Sequence, residues 1–196
     1  MDERPLRELA LAEDEKRAIA GYAFLTLKPE LIVLNLDESQ ASLSGQDEDN
    51  AGKLCDIASS RGLKVVNIFG RMEMDMSELA PEEQAEFMNE LGVTEPGRER
   101  LISEAYELLG LISFFTTGKD EVKAWTLHKG SSAVAAAGTI HSDLARGFIR
   151  AQVVHYDDFA SNGNSIPNCR DKGVLRLEGK EYVVRDGDMI EIRFNV

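Results

Sequence analysis

The sequence predicts an α/β segment followed by a β-rich α+β segment, with the boundary near residue 115. Two short and largely apolar runs, at 31–34 and 63–69, lack the alternation of a half-exposed strand and are typical of parallel strands buried on both faces. From Leu111 onward, strand-like runs follow one another closely. The charge changes at the same point. Residues 119–196 carry 11 Lys and Arg against 11 Asp and Glu, so the net charge of -13 lies in residues 1–118.

The overall composition is that of an ordinary soluble globular protein. Of 196 residues, 43% are hydrophobic and 29% are charged. No apolar run approaches the length of a membrane span and no charged-then-apolar leader opens the chain, so we expect no membrane partner. Cys55 and Cys169 lie far apart and are interpreted as free thiols of a reducing compartment, which predicts a cytoplasmic protein. The histidines lack metal-ligand spacing, so no metal site is predicted.

In the first segment, proline and glycine positions predict where each element ends. Pro29 ends a first helix, because proline forces the preceding residue into an extended conformation. Gly62 ends a second helix. The strands on either side of that helix should lie parallel, because a helical crossover joins them. The predicted elements are a helix at 13–25, a strand at 30–35, an acidic loop at 39–50, a helix at 53–60 and a strand at 63–69.

Three more helices are predicted before the boundary, at 73–79, from Pro81 to Gly92 and from Thr94 to Gly110. The second segment then predicts two strands joined by a glycine-containing turn, a short alanine-rich helix with a following loop, a strand at 148–156 and three short strands within 174–196. One short helix among several strands in about 80 residues is typical of a β-grasp fold.

Polar side chains follow the first predicted strand at its carboxyl end. Asn35, Asp37 and Glu38 come directly after the apolar run. In open α/β sheets, ligands bind outside the carboxyl ends of the strands. Asn35 carries an amide that both donates and accepts, and Glu38 adds a carboxylate, so the pair is suited to the edge of a purine. The same residue types are also common in turns at strand ends, and the tetrapeptide alone leaves both interpretations open.

Four long blocks of the sequence carry a resemblance: LTLKPELIVLNLDE, EFMNELGVTEPGRERLISEAYELLGLISFFTTG, EVKAWTLHKGSSAVAAAGTIHSDLARGFIRAQVVHYDDF and GKEYVVRDGDMIEIRFNV. Together they closely resemble the YchF/Obg-like ATPase family. Its members combine a P-loop nucleotide domain, an inserted coiled-coil hairpin and a C-terminal TGS domain of β-grasp (ubiquitin-like) type. The resemblance implies that residues 1–28 are the end of the coiled-coil arm, residues 29–112 an α/β remnant of the nucleotide domain, and residues 113–196 the TGS domain.

The resemblance also places a base-recognition motif. The family carries Asn-x-x-Glu where GTPases carry Asn-Lys-x-Asp, and this motif falls on Asn35, Leu36, Asp37 and Glu38. Adenine presents an N7 acceptor and an N6 donor, and the Asn35 amide can satisfy both. Leu36 would pack against the face of the ring. The resemblance therefore implies a purine nucleotide ligand, with ATP preferred over GTP.

A second nucleotide-side loop follows the second strand. Gly70 permits close backbone approach and is a further candidate for the base site. The stretch Phe69-Gly70-Arg71-Met72-Glu73 departs from the family, whose members usually carry small residues there, and Arg71 is the unexpected residue.

Phosphate-binding residues are absent from the sequence. No Gly-x-x-x-x-Gly-Lys-Ser/Thr motif occurs, and the family's magnesium-binding switch segments are missing. Phosphoryl transfer consists mostly of positioning and electrostatic stabilisation by those parts. We therefore predict no catalytic residue and no hydrolysis by this chain alone, with Mg²⁺ bound only in a complete family protein. The expected form is a C-terminal fragment, or a split or degenerate version, whose partner is the missing half of the nucleotide domain or a second copy.

Basic residues in the second segment are candidates for a nucleic-acid contact, because TGS domains are associated with ribosome and RNA contacts. The candidates are Lys123, Lys129, Arg146 and Arg150, which we expect to form one patch on two neighbouring strands. Simple strand-edge charges are an equal alternative for Arg146 and Arg150. The predicted function is that of a ribosome-associated translation or stress factor that binds a nucleotide. The alternative is a stand-alone TGS binding module without a nucleotide function.

Overall fold

The structure is a computed structural model that describes residues 4–37, 50–90, 95–117 and 121–195. The chain divides into two compact units, Met1–Leu109 and Gly110–Val196. Both combine helices and strands, so the fold is of the α/β kind. Among the described residues, no helix is long and apolar enough to cross a membrane.

The first unit is built on a two-stranded parallel sheet. Its strands pair from Leu31 opposite Lys64 to Asn35 opposite Ile68, which confirms the predicted strand–helix–strand arrangement. The elements are α1 (Glu13–Ile19), β1 (Leu31–Asn35), α2 (Asn50–Ser60), β2 (Lys64–Ile68), α3 (Gly70–Ser77), α4 (Pro81–Glu90) and α5 (Gly97–Leu108).

The first predicted helix is shorter than expected. It ends at Ile19 and gives way to a single 3-10 turn at Ala20–Tyr22. Ala23 then adopts a left-handed conformation, with φ at 51°. A helix cannot continue through a left-handed residue, and Gly21 weakens it just before. The prediction of one helix over 13–25 is therefore wrong beyond Ile19.

The second unit is built on a mixed sheet, with five strands among the described residues, in the order β4-β3-β7-β5-β6. β3 runs parallel to β7, and the other neighbours are antiparallel. The elements are β3 (Leu111–Thr117), β4 (Val122–His128), α6 (Ala133–Ile140), α7 (Ser142–Arg146), β5 (Phe148–His155), α8 (Tyr156–Ser161), α9 (Ile166–Asp171), β6 (Arg176–Glu178) and β7 (Asp188–Phe194).

Two sequence predictions for this unit are wrong. Residues 121–195 contain four helices rather than one: α7 was expected to be loop, and no helix was predicted where α8 and α9 lie. The region 174–195 contains two strands rather than three, because Val183 makes only an isolated bridge with Ser132. The short helices α8 and α9 begin at side-chain caps. His155 Nδ1 accepts from the backbone N–H of Asp157, and Ser165 Oγ accepts from the backbone N–H of Asn168.

Both faces of this sheet carry a core. On one face, strand residues such as Phe114, Ala151 and Val153 pack with the alanines of α6. We call this the α6 face. On the other, Val154 and Met189 pack with Cys169 of α9, and we call it the α9 face. Strand side chains alternate between faces, so these contacts also give the face of the neighbouring strand residues, except across the irregularity between Phe148 and Arg150 of β5.

Candidate functional site

Asn35 and Gly70 meet at the carboxyl end of the parallel sheet. Asn35 is the last residue of β1, and Gly70 is the first residue of α3, which follows β2 after one intervening residue. The Gly70 N–H donates to Asn35 Oδ1 at 2.9 Å. Because an N–H needs an acceptor, this bond fixes which end of the amide is oxygen. The bond to Gly70 therefore restrains the orientation of the amide.

Close approach at Gly70 leaves no room for a side chain. A Cβ atom added there would lie 2.9 Å from Asn35 Oδ1 and 3.4 Å from Nδ2. The close approach of Asn35, and not a left-handed φ, accounts for glycine here, since an added Cβ would displace the Asn35 amide.

A cleft opens beside this contact. Leu36 is half-buried in its wall, and its N–H donates to the Ile68 carbonyl at 2.8 Å. Arg71, which the sequence marked as a departure from the family, is exposed and also lines the cleft. Glu38 of the predicted motif lies outside the described residues. The lining residues are Asn35, Leu36, Asp37, Phe69, Arg71, Met72 and Asp75.

The Glu73 carboxylate on α3 connects this helix to the start of α5. The Gly97 N–H, at the first position of α5, donates to the Glu73 carboxylate. Gly97 is buried, and a Cβ there would lie 2.7 Å from Glu73 Oε1 and 3.3 Å from Ile68 Cγ2. A carboxylate at a helix N-terminus is favourable because the helix dipole is positive there. The sequence analysis missed this pair; the signal available was a glycine directly after Pro96 at a helix start.

Ion pairs and hydrogen bonds connect α5 to β2. The Arg100 guanidinium donates to the backbone carbonyl of Asn67. Lys64 Nζ lies 2.5 Å from carboxylate oxygens of both Glu104 and Glu107. The hydrogen bond to Glu104, followed by that to Glu107, raises the pKa of Lys64 above its ordinary value. The cleft beside Asn35 is therefore backed by β2, which α5 holds at several points.

The four candidate basic residues of the second unit do not form the single patch we expected. Lys123 lies on β4 and Arg150 on β5, and two strands, β3 and β7, stand between them. Lys123 pairs with Thr116 and so faces the same side as Phe114, which is the α6 face. Arg150 precedes Ala151 of the α6 face and therefore points to the α9 face. The strands that carry Lys123 and Arg150, which we expected to be neighbours, are therefore two strands apart in the sheet.

The remaining two candidates are also placed differently from expectation. Lys129 follows the last residue of β4 and lies in a turn, where its N–H donates to the Gly110 carbonyl at 2.8 Å. Arg146 ends α7 and pairs with the carboxylate of Asp143 one turn earlier. Lys123 Nζ sits 4.1 Å from the ring centroid of Trp125, a cation–π contact.

Comparison with known proteins shows what this chain is similar to. A model of the family YchF-GTPase_C, described as a protein of unknown function, matches residues 111–195. Among curated proteins, the ribosome-binding ATPase YchF of Bacillus subtilis (strain 168) is 41% identical over 194 residues, which are 99% of this chain and 52% of that protein. The same protein of Haemophilus ducreyi is 42% identical over 97% of this chain and 51% of its own length.

The sequence and fold of this chain match the C-terminal part of the YchF family. The YchF GTPase of Schizosaccharomyces pombe superposes with a TM-score of 0.81 at 28% identity, over 97% of this chain and 50% of that one. A GTP-binding protein of Pyrococcus horikoshii OT3 shares the fold, with a TM-score of 0.58 at 18% identity. The chain thus spans about half the length of the YchF relatives it matches.

Proposed function

We propose that the cleft beside Asn35 binds the adenine base of ATP as part of a YchF-type nucleotide site, and that the second unit contacts the ribosome or RNA. In this proposal, residues 29–112 are the C-terminal part of a P-loop nucleotide domain and residues 113–196 a β-grasp TGS domain, with residues 1–28 as the end of the coiled-coil arm. The curated relatives are named ribosome-binding ATPases, which supports both halves of the proposal.

The hydrogen bond between Gly70 and Asn35 carries the adenine assignment. It restrains the amide, leaves Nδ2 to donate to adenine N7, and leaves the second lone pair of Oδ1 to accept from the N6 amine. A guanine would present its O6 acceptor instead, and that atom needs a donor. The Gly70 N–H is already bound to Asn35, and the Leu36 N–H is bound to Ile68. With Nδ2 at N7, Asn35 Oδ1 would face guanine O6, acceptor against acceptor, so the Asn35 amide favours ATP over GTP, although Nδ2 and the exposed Arg71 remain as donors.

The chain's residues fit the base and not the rest of the nucleotide. Its sequence has no phosphate-binding loop and none of the family's magnesium-binding segments. We therefore assign no residue to Mg²⁺, and we expect no steady ATP or GTP hydrolysis by this chain alone.

Saturation-transfer NMR with free nucleosides tests the base assignment, because nucleosides lack the phosphates this chain cannot hold. We expect saturation of adenosine H2 and H8 in the unaltered chain, weaker transfer to guanosine, and loss of the adenosine signal in Asn35→Ala. Asn67→Ala is the matched control, since Asn67 is exposed on the neighbouring strand and pairs with Leu34. Equal transfer to both nucleosides, or an adenosine signal that persists in Asn35→Ala, contradicts the proposal.

A stand-alone TGS binding module is the second candidate function. The observation that favours it is the position of the family match, which lies wholly within residues 111–195. In that case the chain would co-sediment with ribosomes, while adenosine would give no saturation transfer. Adenosine transfer that depends on Asn35 would exclude it.

A further inference from the structure

We infer that Arg150 and Arg193 together bind RNA phosphate on the open part of the α9 face. This inference rests on the proposed RNA contact of the second unit, and it replaces the four-residue patch that the sequence suggested. Arg193 was not among the residues singled out in the sequence.

The two arginines are direct cross-strand neighbours. Arg150 of β5 pairs with Arg193 of β7 in the antiparallel ladder, and both are exposed. Side chains at directly opposite positions share a face and have Cβ atoms about 5 Å apart. Like charges at such positions destabilise a sheet. An anion that bridges the two guanidiniums would remove this repulsion, and arginine suits phosphate because its planar fork donates two hydrogen bonds at once.

Neighbouring polar groups orient one of the two guanidiniums. Arg193 Nη2 donates to Gln152 Oε1 at 3.1 Å and lies 3.3 Å from Glu191 Oε1. Gln152 and Glu191 are themselves the next cross-strand pair on this face. These contacts use one nitrogen of Arg193, so its other N–H groups remain for a ligand. The Arg150 side chain makes no hydrogen bond or ion pair with any of the described residues.

The surroundings favour RNA over a small anion. Helices α8 and α9 cover the face at Val154 and Met189, and the two arginines lie two pairs further along the same strands. Beside Gln152, the edge strand β6 presents Leu177, which is 60% exposed. Leu177 thus lies one same-face position along the strands from the arginine pair, where an apolar side chain can contact a base whose phosphate the guanidiniums hold; a small inorganic anion has no such base.

The other candidate basic residues lack these features. Arg146 is neutralised by Asp143, and Lys123 lies on the opposite face, over Trp125. Glu191 is the one carboxylate of the described residues that contacts the arginine pair, through Arg193. Its charge opposes an anionic ligand, so its removal should strengthen binding. A purely structural role for Arg193 would not predict that gain.

The test is fluorescence anisotropy of the full chain with a labelled single-stranded oligouridine RNA across a potassium chloride series. Each phosphate contact contributes roughly 0.7 to the slope of log K against log salt for a single strand. We expect Arg150→Ala and Arg193→Ala each to lower the slope by about that amount. Arg146→Ala should leave it unchanged, and Glu191→Gln should tighten binding. Circular dichroism of each variant checks that it is folded.

Each outcome decides a different claim. If the unaltered chain binds RNA and both arginine variants keep its slope, the arginine pair is overturned while the RNA function stands. If the unaltered chain binds no RNA, both are overturned. A second arm uses vesicles of anionic phosphatidylglycerol, and a third uses an acidic protein; if either of these, and not RNA, binds in an Arg150- and Arg193-dependent way, the ligand class is wrong.

Discussion

The two units of this chain bury apolar side chains to very different extents. In Gly110–Val196, both faces of the sheet carry a core, and Phe114, Val153 and Val154 are almost completely buried. In the described part of Met1–Leu109, the buried apolar residues are Ala58, Val66, Met72 and Met76. The large apolar side chains exposed there are Leu9, Tyr22, Phe24, Leu25, Val33, Leu54, Ile57, Met74, Ile102 and Leu109.

Sheet type explains the difference. Parallel sheets are stable when both faces are covered, and two parallel strands with their flanking helices cannot provide that cover. A five-stranded mixed sheet with helices on both faces can. We therefore expect the second unit to be stable by itself and the first unit to need a further surface. We propose that this surface is either the remainder of the nucleotide domain or a second copy of the chain.

Truncation of the second core should have the largest effect. Phe114→Ala removes a ring that is 0% exposed, and large-to-small changes of this kind cost about 3–5 kcal/mol of unfolding free energy. Trp125 is the chain's single tryptophan and packs against this core, so its fluorescence in urea reports this unit. The control is Ile102→Ala at an exposed site of the first unit, which should change the tryptophan transition by less than about 0.5 kcal/mol. An unchanged midpoint in Phe114→Ala would refute the core assignment.

A smaller loss is expected from Tyr182→Phe. The Tyr182 hydroxyl donates to Asp188 Oδ2 at 2.8 Å, and Asp188 is completely buried. Without that hydroxyl, Oδ2 keeps only the Arg185 N–H at 2.9 Å. A buried acceptor that loses a partner costs about 1–3 kcal/mol. Urea unfolding near neutral pH measures the loss, and Tyr156→Phe, at an exposed tyrosine, should cause almost none.

The same tyrosine should make stability depend on alkaline pH. Burial, together with the hydrogen bond to Asp188, raises the pKa of Tyr182 in the folded chain. The folded state thus holds this proton more tightly than the unfolded state, whose tyrosine titrates near about 10. The stabilisation is fully present below that pH and is lost as pH rises through the folded pKa. Tyr182→Phe should flatten this part of the profile, and an equal decline in both proteins would contradict the assignment.

Much of this architecture could be predicted from the sequence, and the failures have physical causes. The parallel strands were predictable because each is a short and largely apolar run without strict alternation. The meeting of Asn35 with Gly70 follows from the same pattern, since the carboxyl ends of parallel strands lie at one edge. Helices α8 and α9 were missed because six residues are too few to show a helical period, and local caps start them instead.

The basic patch failed for a different reason. Spacing along the chain gives the face of a residue within one strand, but not the order of strands in a sheet. β7 is the last strand in sequence, yet it lies between β3 and β5. That insertion separates Lys123 from Arg150 and places Arg193 beside Arg150. The glycine after Pro96 marked a crowded helix start, but the sequence could not show that its partner is Glu73, because the two residues belong to different helices with no shared motif.

Exposed apolar side chains of the first unit should bind hydrophobic dye and cause self-association. Replacing them should reduce both while changing the stability little. Leu54 and Ile57 lie three residues apart on α2, and both are exposed. We expect Leu54→Ser/Ile57→Ser to lower the fluorescence of a hydrophobic dye and the self-association seen by sedimentation velocity, while unfolding free energy changes by less than about 0.5 kcal/mol per site. Val122→Ser, at an exposed site of the second unit, is the control. A monomer that binds no dye would contradict the contrast between the units.

The smallest stability effect, and the sharpest test of the first unit, is expected for Gly70→Ala. Its backbone is compatible with alanine, so the substitution alone would stabilise the chain by about 0.4–1 kcal/mol through the unfolded state. The new Cβ would lie 2.9 Å from Asn35 Oδ1, however, and the amide must move. Loss of one amide–adenine hydrogen bond is worth about 1 kcal/mol, or about fivefold in adenosine Kd. We therefore expect weaker adenosine binding in a chain that is as stable as before.

Gly21→Ala is the matched control, because a Cβ there meets nothing within 4 Å and lies outside the cleft. If Gly70→Ala binds adenosine as tightly as Gly21→Ala does, the orientation of Asn35 by Gly70 has no part in base recognition.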